Sequence, residues 1–170
     1  MKVDPITLAV IRGSLEQIAD EMDATLERMA FSPVISDGFD RASGIYRPEN
    51  GEVIMQGPRS LPNFIYVMSH TVRSVIEQID DPKPGDVYIV NIPYLGGTHL
   101  MDVKMVCPFF YQGELVAYLA NSGHWPDIGG RVPGGFSTRA TEIYQEGLQL
   151  PPIRLFNQGV LNREVLAIIL

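Results

Sequence analysis

Apolar residues recur at helical spacing near the start of the chain: Leu8, Ile11, Leu15, Ile18, Met22, Leu26 and Met29. This period predicts one amphipathic helix from about Pro5 to Ala30. Asp4 and Pro5 supply an N-cap and a proline at the first helical position, and Pro33 prevents the helix from running on. A second helical period, Ile65, Met68, Val72, Val75, Ile76 and Ile79, runs through "NFIYVMSHTVRSVIEQI" and breaks at "DDPKPGD". Between the two helices, "SGIYRPENGEVIMQG" predicts a hairpin, with Ile45 and Tyr46 on one arm and Val53 to Met55 on the other. "DVYIV" is a short apolar strand. "VKMVCPFFY" and "ELVAYLA" are two longer strands joined by a turn at Gln112-Gly113. Glycine and proline dominate from Asn121 to Gly135, which predicts an irregular but ordered loop. Thr141 to Gly147 and "LNREVLAIIL" are two further helical candidates, the last ending on the apolar Ile168, Ile169 and Leu170. The fold class is therefore α+β, with helices packed on a mainly antiparallel sheet.

The chain has 170 residues, 45% of them hydrophobic, enough for one core and a single domain over 1–170. Twenty acidic against thirteen basic residues give a net charge of −7, and no basic run exceeds two residues. Nucleic acid and anionic membrane are thereby disfavoured as partners. No window reaches the roughly 20 apolar residues of a membrane span. The start, "MKVDPITLAV", lacks a signal-peptide layout. A lone cysteine, Cys107, precludes an internal disulfide and fits a cytoplasmic location. It sits in an apolar strand and reads as a core thiol.

The chemistry concentrates in "NIPYLGGTHLMD" and "NSGHWPD". Each holds a histidine followed three residues later by an aspartate: His99 with Asp102, and His124 with Asp127. A hairpin turning at Gln112-Gly113 sets Val103 opposite Ser122, so the two stretches meet at one end of the sheet. Two imidazoles with one or two carboxylates suit Zn²⁺, Mn²⁺ or Fe²⁺. Gly96, Gly97, Gly129 and Gly130 would let the backbone approach such an ion. The competing interpretation is solvated loop residues that cap turns. His70 reads as a helix-face histidine and Trp125 as a packing or lid residue. No phosphate-binding glycine motif occurs, so no ATP site is expected in this chain.

The stretches "DPITLAVIRGSLEQIADEM", "PYLGGTHLMD", "HWPDIGG" with a following "PGG", and "ATEIYQEGLQLPPIRL" resemble the hydantoinase B/oxoprolinase family over the whole chain. That family includes N-methylhydantoinase subunits, the C-terminal part of 5-oxoprolinase, caprolactamase subunits and the large subunits of acetone-type carboxylases. The resemblance implies a metal site at His99, Asp102 and His124. A further acidic ligand follows "SP", best matched by Asp40, with Asp37 as competitor. Asp127 would orient an imidazole or shuttle protons. It also implies a hetero-oligomer with a hydantoinase A-like subunit that holds ATP and Mg²⁺ and phosphorylates an amide or enolate oxygen. The implied reaction is hydrolysis of a cyclic amide, with carboxylation of a ketone as the alternative and a non-catalytic scaffold as the rival. Two departures stand out. Phe64 occupies a place where many members carry histidine, and 170 residues correspond to about the N-terminal third of a member.

Overall fold

The computed structural model describes residues 3–170; the first two residues of the N-terminal stretch discussed above lie outside the described residues. Helix α1 spans Pro5–Met29. The Asp4 carboxylate accepts hydrogen bonds from the Ile6 and Thr7 amides at 3.1 and 3.0 Å, satisfying donors that the first turn leaves free. A single turn, α2, covers Pro33–Ser36. Helix α3 is Phe64–Gln78 and helix α4 is Arg163–Ile169, capped by Asn162. The strands are β1 Arg41–Tyr46, β2 Val53–Gln56, β3 Val87–Val90, β4 Asp102–Tyr111, β5 Glu114–His124, β6 Ile153–Asn157 and β7 Val160–Leu161. They form one seven-stranded sheet in the order β2-β1-β5-β4-β3-β6-β7, with every neighbouring pair antiparallel.

Alternation along the strands splits the core in two. On one face Ala42, Tyr46, Tyr88, Val90, Val106, Tyr118 and Ala120 pack with Phe64, Met68, Val72 and Val75 of α3. On the other, Ile89 and Val103 pack with Leu100, Met101, Ile128, Leu150 and Leu155, with Trp125, Val165 and Ile169 against the edge. Trp125 is thus a packing residue. Ile168 and Leu170 are exposed.

Several boundaries differ from the expectations. Strand β5 continues through Asn121 to His124, residues expected in the loop, because β1 pairs with it from Tyr46 back to Arg41. A bulge between Phe109 and Phe110 shifts the β4/β5 register by one. Val103 therefore faces Gly123, and Asp102 faces His124. Between Thr141 and Gly147 only a 3₁₀ turn forms, Ile143–Gln145. The hairpin β6/β7 was not anticipated. Its turn uses Gln158 and Gly159, both at positive φ (50° and 83°). Among the described residues no helix is long and apolar enough to cross a membrane.

Candidate metal centre

The strand order sets the start of β1, the end of β5 and the start of β4 side by side at one end of the sheet. Each contributes one residue. The His124 amide donates to the Asp40 carbonyl at 3.1 Å, extending the β1/β5 ladder by one step. On the other side Asp102 is the cross-strand partner of His124. Asp40 is held in place by Arg41, a fully buried guanidinium that donates to the Ile35 and Ser36 carbonyls of α2 and pairs with Glu27 of α1. Asp37 is exposed and its carboxylate accepts the Ser36 hydroxyl at 2.8 Å. Of the two aspartates left open above, Asp40 is the one at the cluster.

His99 arrives on the loop after β3. A 3₁₀ turn, Pro93–Leu95, ends at Gly96 with φ 90°. Here α3 clamps the loop: Thr71 Oγ1 donates to the Gly96 carbonyl at 2.7 Å and Ser74 Oγ to that of Leu95 at 3.2 Å. A Cβ at Gly96 would lie 2.5 Å from the Thr71 amide nitrogen, and one at Gly97 would lie 2.7 Å from Pro93 Cα. The glycine pair therefore serves tight packing against α3 and a tight turn, not approach to an ion. Gly130 likewise packs on the Glu146 carbonyl, and Gly129 faces open space.

Four side chains converge. His124 Nδ1 lies 3.2 Å from an Asp40 carboxylate oxygen and 3.6 Å from Asp102 Oδ1; His99 Nε2 lies 3.6 Å from Asp102 Oδ2. One ligand atom from each of His99, Asp102 and His124 can be chosen so that all lie within 4.8 Å of one another. Bonds of about 2.1 Å in a tetrahedron set ligand atoms about 3.4 Å apart; the 3.2 and 3.6 Å separations of His124 Nδ1 from Asp40 and from Asp102 Oδ1 are of that size, while His99 meets the other Asp102 oxygen. Asp102 is only 2% exposed, yet its Oδ1 has no hydrogen-bond partner, and neither has His124 Nδ1. Among the described residues ten buried side-chain polar atoms lack a hydrogen-bond partner, and three of them, His99 Nδ1, Asp102 Oδ1 and His124 Nδ1, belong to this cluster. The donor set fits a divalent cation of the Zn²⁺, Mn²⁺ or Fe²⁺ type.

Burial moves both kinds of ligand toward their neutral forms, which is the metal-binding form for an imidazole but not for a carboxylate. Burial raises the Asp102 pKa above the ordinary carboxylate value, despite attraction from His99 and Lys104. Burial lowers that of His99, favouring the neutral imidazole that a metal requires. The Thr98 hydroxyl donates to Asp102 Oδ2. Lys104, fully buried, donates from Nζ to the Asp102 carbonyl at 2.9 Å, and burial brings its pKa down to about 8. Phe136 stacks on His124 with centroids 6.1 Å apart and planes 17° apart, and meets His99 edge-on at 5.4 Å. Thr98, Lys104 and Phe136 were missed in the sequence. Thr98 and Lys104 flank the motif and were readable by proximity alone; nothing in the pattern marked Phe136.

The structure does not bring Asp127 into the cluster. It is exposed, and its Oδ1 accepts the Gly129 amide at 2.9 Å, a local turn. His70 lies on α3 against Tyr66 (centroids 4.4 Å apart), outside the cluster. Cys107 is half-buried, and burial raises its pKa, so no activated thiolate is indicated.

The sequence model of the Hydantoinase B/oxoprolinase family matches residues 4–170. The chain belongs to this family. It is 40% identical over 169 residues to the caprolactamase subunit beta of Pseudomonas jessenii, covering 99% of this chain and 29% of that one. It is 30% identical over 162 residues to 5-oxoprolinase 1 of Arabidopsis thaliana, covering 95% of this chain and 13% of the relative. The crystal structure of the ATP-dependent caprolactamase from Pseudomonas jessenii superposes on the whole chain with TM-score 0.81 and 38% identity, over 29% of its own length. Nucleotide-free acetone carboxylase shares the fold at TM-score 0.87 and 20% identity, over 98% of this chain and 22% of that one. The chain thus spans under a third of the caprolactamase subunit it matches.

Proposed function

We propose that this chain is the N-terminal, metal-holding part of a hydantoinase B-like subunit, in a hetero-oligomeric complex that opens a cyclic amide at the expense of ATP. The observation that carries this is the pair of buried, partnerless ligand atoms, Asp102 Oδ1 and His124 Nδ1, at metal-bridging distance. Amide hydrolysis is preferred over ketone carboxylation because identity to caprolactamase is 38–40%, against 20% to the acetone enzyme.

Asp40, His99, Asp102 and His124 would hold the ion. A bound divalent cation supplies an activated water and polarises a carbonyl. Thr98 fixes the rotamer of Asp102, Lys104 holds its backbone, and Phe136 covers both imidazoles and limits water access. A hydantoinase A-like subunit with ATP and Mg²⁺ would supply the phosphorylated amide, whose carbonyl carbon is then electrophilic enough to be attacked. Asp127 makes no contact with the cluster, and no step is assigned to it.

Elemental analysis of the purified protein tests the assignment. About one divalent ion per chain is expected, lost in His99→Ala and in His124→Ala. Metal retained unchanged in both variants removes the site. Substrate-dependent ATP turnover in the reconstituted complex that ignores His124→Ala would favour a scaffold role instead.

A further inference from the structure

Three of the four clustered side chains are placed by the sheet. Asp102 and His124 are cross-strand partners in β4 and β5. Asp40 lies one step before β1, and its carbonyl accepts the His124 amide. His99 is the exception. It lies outside the strands, in the stretch from Gly96 to Met101 that joins the Pro93–Leu95 turn to β4. That stretch crosses the end of the sheet: Leu95 packs against the core under α3, and Leu100 belongs to the core on the opposite face. Strand register fixes the direction of a side chain only within a ladder, so it leaves His99 unplaced.

Two buried side chains hold the carbonyls on either side of it. Before His99, Thr71 of α3 donates from Oγ1 to the Gly96 carbonyl at 2.7 Å. After it, Asn91 at the end of β3 donates from Nδ2 to the Leu100 carbonyl at 2.9 Å. Asn91 is itself anchored: Nδ2 also donates to the Leu148 carbonyl at 2.9 Å, and Oδ1 accepts the Leu150 amide at 2.7 Å. The Leu100 bond has a particular consequence. The Asp102 amide donates to the His99 carbonyl at 3.2 Å, so His99–Asp102 is a β-turn and Leu100–Met101 is its central peptide. Rotation of the central peptide distinguishes type I from type II turns. Leu100 and Met101 are both buried, so a Leu100 carbonyl rotated away from Asn91 would lose its partner. The next carbonyl, of Met101, accepts the Trp125 amide at 2.8 Å and holds the other half of the turn.

We propose that Thr71 and Asn91 are positioning residues for His99: they fix the two ends of its loop and so bring its imidazole to the three ligands that the sheet provides. This rests on the metal-centre reading and adds the groups that complete the centre on its loop side. Neither residue touches the ion. Groups that hold metal ligands in place nonetheless set affinity, by about 10- to 100-fold. Thr71→Val is the sharp perturbation. Valine has the same shape, but its methyl cannot donate and would crowd a carbonyl that stands 2.7 Å from the hydroxyl. Thr71→Ser keeps the donor.

The test measures zinc affinity of the chain by competition with a chromophoric chelator, and the number of bound imidazoles by zinc-edge X-ray absorption at saturating zinc. Thr71→Val and Asn91→Ala should each bind zinc at least about tenfold more weakly than wild type and show one imidazole in place of two, the signature of His99→Ala. Thr71→Ser should stay within about twofold of wild type with both imidazoles. The two positions are independent, so a variant that fails to fold at one leaves the other to decide. Met68→Ala removes core packing from the same helix and separates positioning from general loosening; its zinc affinity and imidazole count should match wild type. Unchanged affinity with two imidazoles in the folded Thr71→Val or Asn91→Ala protein, an equal loss in Thr71→Ser, or an equal loss in Met68→Ala overturns the positioning role and leaves the metal assignment standing. A wild-type chain that binds no zinc overturns both.

Discussion

Replacing Asp102 by asparagine separates a metal ligand from an ordinary core residue. The Asp102 carboxylate is buried, its Oδ2 accepts the Thr98 hydroxyl, and its Oδ1 has no hydrogen-bond partner among the described residues. Its pKa is raised even with Lys104 nearby, so the folded protein disfavours the charged form. Asparagine is nearly isosteric, keeps an oxygen for Thr98 and removes the charge. An unsatisfied buried acceptor costs about 1–3 kcal/mol, so Asp102→Asn should gain about 1–2 kcal/mol in the absence of metal. Metal reverses the order. At a free concentration a hundredfold above Kd the wild type gains about 2.7 kcal/mol, whereas the variant has lost a ligand and gains little. Urea denaturation at pH 7, with chelator and then with zinc, should give stability curves that exchange rank. A variant less stable than wild type in chelator, or one that keeps the full metal-driven shift, would refute the reasoning.

Three further outcomes test the frame around the site. Asp86 is buried; burial opposes its charge, but hydrogen bonds from Gln158 N, Lys83 N and Tyr88 Oη, with Arg154 at 3.2 Å, outweigh it and hold its pKa below the ordinary 3.8. Its stabilisation is therefore full above about pH 4 and lost as pH falls through the depressed value; Asp86→Ala should cost about 3 kcal/mol at pH 7 and flatten the acid limb of the stability–pH curve. Gly57→Ala would set a Cβ 2.0 Å from Asp23 Oδ2, a buried carboxylate held by Ser60, and should cost about 1–3 kcal/mol in urea denaturation. Replacing Met68, fully buried on the sheet-facing side of α3, by alanine should cost about 2–5 kcal/mol, with metal affinity unchanged in a competition titration.

The helices were legible because their signals are local. The Asp4 cap and the Leu8–Met29 period predicted Pro5 to Ala30, and the helix observed is Pro5–Met29. Strand β1 was half anticipated: only Ile45 and Tyr46 were named on this arm of the hairpin, yet all six residues Arg41–Tyr46 form the strand and are buried. Arg41 is tolerated there because Glu27 and two α2 carbonyls hold its two terminal nitrogens, although its Nε has no hydrogen-bond partner among the described residues. The meeting of "HLMD" and "NSGH" followed from the hairpin, but the bulge at Phe109 and Phe110 moved the register by one and made Asp102 and His124 direct partners. Asp40 joined only by resemblance, because its approach depends on pairing between β1 and β5, which are nearly 70 residues apart and share no local signal. Asp127 looked like His99's partner Asp102 in spacing, yet the chain leaves the sheet after His124, so the same spacing points elsewhere.

X-ray absorption at the zinc edge of the metal-loaded chain addresses the four-residue centre most directly. Two imidazole nitrogens and two carboxylate oxygens at about 2.0–2.2 Å are expected, with one imidazole shell lost in each of His99→Ala and His124→Ala. A spectrum without imidazole, or one unchanged in both variants, would contradict it.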